Sequence, residues 1–352
     1  MSTPRRSRII ASLLWYTMFG VRCVTGQTVA TGVTLSDGLL ALGVEGGKPS
    51  QVFGEITGVI TLPNKSVLVL DAKLGRLSLF SPQGTLLDAV GRSGEGPGEF
   101  VDPRLAAVWQ DSAFVLDNML RRVSVFALGR GAITFERSFG IAGWAADACL
   151  IGKRLFLLSY ADGRVLHEYS LGGTLLRSFG EPIGLDLPIT RGGTIRGRLL
   201  CEAETGMIVA LARQFGTVAA YSAQDGRKLW ATVPGGFTPA QMTPYDGGEG
   251  LRIRPGKGGI IDYMVAGVFV APNLILTQAR RVKYTDKSNP SLDVVRSTRT
   301  FLLHALTGKE LTEARSGLPL IVEAGNGHAW TADTTDFPRV VRRRLQVPPQ
   351  DH

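Results

Sequence analysis

Apolar and polar residues alternate at every second position along most of this chain, in runs of four to eight residues separated by Gly, Pro, Asn, Asp and Ser clusters. That period is the signature of strands, and few stretches carry the 3.6-residue period of an amphipathic helix. The runs come in sets. Ile56–Leu62, Val67–Leu70, Arg76–Phe80 and Leu86–Val90 are joined by hairpin-length turns, as in one four-stranded antiparallel unit. The pattern then repeats. Val67–Phe80 aligns with Ala113–Phe126 at an offset of 46, and seven of the fourteen positions are identical, among them Asp71/Asp117, Arg76/Arg122 and Phe80/Phe126.

Further units follow at Leu105–Phe139, Ala146–Phe179 and Arg198–Trp230. A fifth is stretched, with strands at Met264–Val270, Leu274–Arg280, Arg299–Ala305 and Leu311–Ala314 and a polar excursion from Lys283 to Thr298. The sixth has only Leu320–Glu323, His328–Ala332 and Val340–Val347. It is one strand short, and the apolar segment Gly38–Val44 is the candidate to complete it from the other end of the chain. The prediction is an all-β, six-bladed β-propeller of four-stranded blades, closed by an N-terminal strand, with seven blades as the alternative count. Closure of this kind leaves no exposed sheet edge where the termini meet.

Composition refines this only a little. With 44% hydrophobic residues the chain can bury a large core, and 44 glycines suit a protein rich in tight turns. The net charge of +9 includes Arg5, Arg6, Arg8 and Arg22 in a first 30 residues that hold no acid, so the remainder carries a mild +5. There is no zinc-finger spacing, no aromatic-basic alternation and no basic run of five. The cluster Arg339, Arg342, Arg343 and Arg344 reads as a solvated strand face, and no nucleic-acid partner is expected.

The start of the chain reads as an export signal over residues 1–30. Three arginines precede an apolar stretch from Ile9 to Val21, then small residues with cleavage sites near Gly26 or Ala30. The apolar run is shorter than the ~20 residues that span a bilayer, so no membrane span is expected in the mature chain. Cys23 leaves lipidation open. The propeller is then assigned to residues 31–347 and a disordered tail to 348–352, with the compartment periplasmic, envelope-associated or extracellular. Beyond the leader only Cys149 and Cys201 remain, each ending an innermost strand of neighbouring units. We read them as two buried thiols, with a disulfide as the open alternative that an oxidising compartment permits.

The segment Gly91-Arg92-Ser93-Gly94-Glu95-Gly96-Pro97-Gly98-Glu99-Phe100 resembles the inter-blade loop of a bacterial family of exported six-bladed propellers, related to NHL-repeat and TolB-like propellers. The Asp-x4-Arg elements at Asp71/Arg76 and Asp117/Arg122 look like its blades. The resemblance implies a fold and export, and it brings no catalytic residues, because the family mostly lacks an assigned activity.

Individual motifs point the same way. The Gly94–Gly98 loop is not a phosphate cradle, since Glu99-Phe100 follows where Lys-Ser/Thr and a helix would be needed. It reads as a linker, with Phe100 plugging between blades. The Asp/Arg pairs read as turn braces, because the third unit has Ser159 and the fourth Ala212 or Arg213 at the equivalent place, which breaks any carboxylate ring. His167, His304, His328 and His352 are dispersed, and no Gly-x-Ser-x-Gly elbow occurs. No cofactor is indicated; a hub cation such as calcium, held by residues from several blades, is the open alternative.

The candidate functional segment is Pro234–Gly259, Pro/Gly-rich, irregular and too long for a plain connection. It carries Phe237, Tyr245, Arg252, Arg254 and Lys257, an aromatic and basic set suited to a protein, glycan or other acidic ligand. The competing reading is a strap covering the joint between the fourth and fifth units. The expected role is a binding or scaffold module; the alternative is a propeller-type hydrolase or lyase with a cation at its hub.

Overall fold

The computed structural model describes residues 32–48, 51–182, 196–244, 251–284, 294–314, 317–333 and 336–347. They form an all-β ring of six four-stranded blades, a β-propeller. Blade one comprises β3 (Ile56–Thr61), β4 (Val67–Asp71), β5 (Arg76–Phe80) and β6 (Leu86–Val90), and blade two β7 (Pro103–Trp109), β8 (Ser112–Asp117), β9 (Arg122–Leu128) and β10 (Ile133–Gly140). Blade three holds β11 (Ala145–Ile151), β12 (Arg154–Ala161), β13 (Arg164–Ser170) and β14 (Leu175–Phe179). Blade four holds β15 (Gly197–Glu202), β16 (Met207–Ala212), β17 (Val218–Ser222) and β18 (Lys228–Thr232).

A separate hairpin, β19 (Gln241–Pro244) with β20 (Leu251–Arg254), precedes blade five: β21 (Ile260–Ala271), β22 (Leu274–Lys283), β23 (Val294–His304) and β24 (Glu310–Ala314). Blade six contains β25 (Leu320–Gly325), β26 (His328–Asp333) and β27 (Arg339–Gln346). Two N-terminal strands, β1 (Thr34–Leu35) and β2 (Leu40–Leu42), both pair antiparallel with β27 and supply its outer edge. The predicted closure is therefore made by two short strands. Inner strand β25 also packs on inner strand β3, which completes the ring.

Why the blades form is visible in their burial. Second strands are largely apolar and buried, as in Val67–Leu70, because each is covered by a blade on both faces. Fourth strands are largely exposed, as in Leu175–Phe179. Hydrophobic clusters lie between blades rather than within them: Leu68, Leu70 and Leu77 of blade one meet Ala113, Val115 and Phe126 of blade two around Phe100. Five of the six inner pairs carry a register shift near the start of the inner strand, between Ile56/Gly58, Leu105/Ala107, Ala145/Asp147, Met264/Ala266 and Ile321/Glu323. An extra residue there adds local twist.

Three expectations need correction. Cys149 and Cys201 are a disulfide, not two thiols: inner strands β11 and β15 are neighbours around the hub and hold the two Cα atoms 5.7 Å apart, within bonding reach. Pro234–Gly259 is not irregular throughout, since Gln241–Pro244 and Leu251–Arg254 pair as a hairpin and a 3-10 turn follows at Lys257–Gly259. Much of the Lys283–Thr298 excursion is also strand, because β22 and β23 continue their ladder to the pair Lys283–Val294.

The aspartates brace turns as expected, and do more. Asp117 accepts N–H bonds from Leu120 in its own turn and from Val101 and Asp102 in the preceding linker, at 2.7–3.3 Å. Asp71 does the same with Leu74, Gly54 and Glu55. Arg122 reaches outward to the linker carbonyls of Glu95, Gly96 and Glu99. Asp and Arg together fasten blades one and two to the straps that enter them.

Candidate functional site

All six inner strands begin at one rim of the central channel and end at the other, because every blade starts at the hub and finishes at its outer edge. The upper rim, where they begin, also carries the turns between second and third strands. The channel encloses about 1090 Å³ and is lined along its walls by backbone and small apolar side chains such as Gly58, Ala106, Ala148 and Ala266. Its charged lining divides by position. Glu55, Asp147, Arg198, Arg280 and Arg339 belong to the upper half, and Glu202, Glu204 and Glu323 to the lower.

The upper rim holds a group of arginines. Arg213 lies in the turn after β16; its N–H donates to the carbonyl of Arg196 at 2.7 Å, and its own carbonyl accepts from Met264 at 2.8 Å. Its guanidinium sits 5.6 Å from the ring centroid of Tyr263. The side chain keeps contact with solvent, yet removal from water is the largest cause of a lowered pKa, followed by the nearby charge of Arg196 and then, against the pull of Tyr263, by Arg104 and Arg198. Arg280 is paired across the ladder with Tyr263, so both side chains leave the same sheet face.

Among the described residues, Arg104, Arg196, Arg213 and Arg280 have no carboxylate partner. Arg198 donates to the carbonyl of Val265 and stands 3.8 Å from Asp147. Asp147 is itself engaged by the N–H groups of Ala148 and Leu199. On the same rim Trp144, immediately before β11, is 43% exposed, whereas Trp109, Trp230 and Trp330 are half-buried or buried. Trp144 thus leaves a large ring face open to water on the rim that carries these cations.

The lower half differs. Glu323 follows the register shift in β25 and accepts a hydrogen bond from the Thr61 hydroxyl at 3.3 Å, while the Trp330 indole donates to Thr61 at 3.0 Å. Burial pushes the Glu323 pKa up to about 7, partly opposed by its bonds to Thr61. The group sits on the seam between blades six and one.

The predicted site residues fall in different places. Phe237 is buried with Met207, Val218, Met264 and Phe301 between blades four and five, so the stretch around it is a strap. Its neighbours are pinned by Asp262, which is fully buried, accepts from Thr238 N–H, and pairs with Arg281 and Arg299; both arginines also donate to the Gly236 carbonyl. Arg254 is exposed at the end of β20. Arg252 lies on β20 and Lys257 in the 3-10 turn, whereas Tyr245 lies outside the described residues, as do the leader, Cys23 and the tail from 348.

The linker reading of Gly91–Phe100 holds in detail. Glu99 accepts from Gly96 N–H and pairs with Arg92, and these bonds lower its pKa. The Gly96 N–H that a phosphate would need is thereby taken. His167 is buried against Ser178 Oγ at 2.8 Å, and burial lowers its pKa; His304 and His328 lie in other blades. Among the described residues no group of three or more His, Cys, Asp or Glu is placed to hold a metal ion. No helix among them is long and apolar enough to cross a membrane.

Sequence reasoning missed Trp144 and the upper-rim arginines. Arg104 and Arg198 each stand second in an inner strand, a signal that exists only once the blade register is known.

No protein-family model and no curated protein matches the chain. Solved structures do resemble it. A Bacteroides fragilis protein whose name marks it as a candidate exported protein superposes with a TM-score of 0.61 at 10% identity, covering 91% of this chain and 97% of that one. A member of the DUF4221 family from Bacteroides vulgatus gives 0.55 at 10% identity, with 90% and 99% covered. The RRP9 WD40 repeats give 0.51 at 10% identity, with 91% and 100% covered. At this identity the likeness concerns the fold, which is a propeller.

Proposed function

We propose that this chain is an exported propeller that acts as a binding module and takes its ligand at the upper rim of the channel. The observation that carries the reading is the concentration of unpaired arginines at that rim, over an open cavity of ligand size. The non-repeating elements favour the same face. The hairpin β19–β20 precedes the start of β21, and β22 and β23 continue their ladder at that end, so Arg252, Arg254 and Lys257 stand in the chain just before the upper end of blade five.

Export is supported by the leader-like first 30 residues and by the disulfide, which suits an oxidising compartment. Kinship with the exported propellers related to NHL-repeat and TolB-like families is part of the same proposal, and rests on the Gly91–Phe100 loop. A hub-cation hydrolase or lyase lacks a favouring observation.

The test is a thermal-shift screen of the purified chain against saccharides, di- and tricarboxylates and short peptides. It is repeated on a variant whose residues 241–254 are replaced by a Gly-Ser turn, and on Ala106→Trp, which narrows the channel. A ligand that raises Tm in the parent and loses that effect in either variant is expected. Failure of every ligand class, or shifts indifferent to both changes, would overturn the reading.

A further inference from the structure

Resting on that binding reading, the geometry points to a narrower ligand class: we propose that the upper rim binds an oligosaccharide of acidic sugars, uronic acids linked in a short chain. Three placements carry this. First, the cations gather around Arg213 and Tyr263 but come from three blades. Arg104 comes from blade two, Arg196, Arg198 and Arg213 from blade four and its approach, and Arg280 from blade five. A ligand with one carboxylate engages one or two of them; a chain bearing a carboxylate on every sugar engages them in series. Guanidinium is suited to this because its planar fork pairs with carboxylate through two parallel N–H bonds.

Second, the exposed indole of Trp144 opens blade three, between the arginines of blades two and four. A pyranose ring offers an apolar C–H face that lies on an indole, so a sugar can stack there while its neighbours' carboxylates meet the flanking guanidiniums. Simple polycarboxylates lack the stacking face, and an acidic aromatic peptide does not repeat ring and acid at one fixed spacing. Third, the rim's acids are partly engaged: Asp147 accepts two backbone N–H bonds and Asp333 pairs with Arg339, while Glu55, Asp102 and Asp162 belong to blades one, two and three. The like charge around Arg213, opposed in the structure by Tyr263, is of the sign that a bound anion relieves further.

Titration calorimetry of the full chain with trigalacturonic acid, with maltotriose as the neutral trisaccharide and citrate as the non-sugar polyanion, tests this. Trigalacturonic acid is expected to bind, more weakly as NaCl is raised through ~0.15 M, where the Debye length falls to about 8 Å. Citrate should bind at least ~10-fold more weakly and maltotriose not measurably. The double variant Arg104→Gln/Arg213→Gln should weaken binding ~10- to 100-fold, as loss of charge-assisted hydrogen bonds does. Trp144→Ala should weaken it ~3- to 10-fold, and Trp144→Phe should restore most of the loss. An unchanged Tm separates lost contacts from lost fold.

Equal binding of maltotriose, or trigalacturonate binding untouched by both arginine and tryptophan variants, sinks the acidic-sugar assignment. So does citrate binding as tightly as the trisaccharide. If trigalacturonate fails while another ligand class in the thermal screen depends on the hairpin or on Ala106, the inference falls and the binding reading stands. If no class binds, both fall.

Discussion

Blades one and two and blade five solve one problem with opposite chemistry. In the first pair, a buried Asp at the end of the second strand gathers backbone N–H groups from its turn and from the entering linker, and an Arg at the start of the next strand reaches linker carbonyls. Side chains there satisfy backbone, and the motif is local in sequence. In blade five the anchor is Asp262 at the start of the inner strand. Its charge is balanced by Arg281 and Arg299 from the next two strands, all closing on the Gly236–Thr238 strap. The first device repeats; the second serves where a long segment must be held down so that a hairpin can stand on it. Between these regions, at the joint of blades three and four, the buried Glu168 is likewise paired with Arg154 and Arg177, both of which donate to the Ala223 carbonyl of blade four, and the Cys149–Cys201 bond also links the inner strands.

The sharpest way to break the comparison is Asp262→Ala. It removes the carboxylate that balances Arg281 and Arg299, the latter with a side chain 8% exposed, and should cost about 3–5 kcal/mol in urea unfolding, with loss of strap protection in hydrogen exchange. A cost near that of a surface substitution would show that the strap is held by Phe237 packing alone. Next comes the joint of blades three and four. Replacing both cysteines by Ala should cost about 2–4 kcal/mol, matched by reduction of the parent. If reduction leaves the urea midpoint unchanged, the disulfide adds nothing to the packing of blades three and four.

Smaller effects are expected where the motif repeats. Asp71→Asn and Asp117→Asn each remove charge but keep an acceptor oxygen, and should cost about 1–3 kcal/mol apiece. Because the two sites serve different linkers, their double variant should be additive; strong coupling would contradict independent clasps.

The last effect is pH-dependent and concerns the closing seam. Glu323 has its folded pKa raised to about 7 from the model-compound value of 4.5, so between these limits the folded chain binds more protons than the unfolded one. Stability from this group is fully present below about pH 4.5 and is lost as pH rises through 7. Glu323→Gln should flatten that part of the Tm-against-pH curve and leave the parent less stable than the variant at pH 8. A parent curve with no slope there would remove Glu323 from the account.

Much of this was legible in the linear text because a propeller blade is local. Strand alternation, hairpin turns and the recurring Asp-x4-Arg element all lie within one 46-residue period, and even the missing strand announced itself as a shortfall in the last unit. The roles of Phe100 and of the turn aspartates followed from the same short-range pattern.

What the tertiary structure alone decided involves residues that meet only when the ring closes. Cys149 and Cys201 stand 52 residues apart and become neighbours because inner strands pack side by side. Asp262 finds Arg299 only across a whole hairpin. Arg104, Trp144, Arg213 and Arg280, ordinary surface letters in four separate segments, share a rim because each lies near the upper end of a hub strand or of the strand paired to it. Periodicity fixes which face of a strand a side chain leaves, and the curvature of the closed ring fixes which of those side chains look at one another.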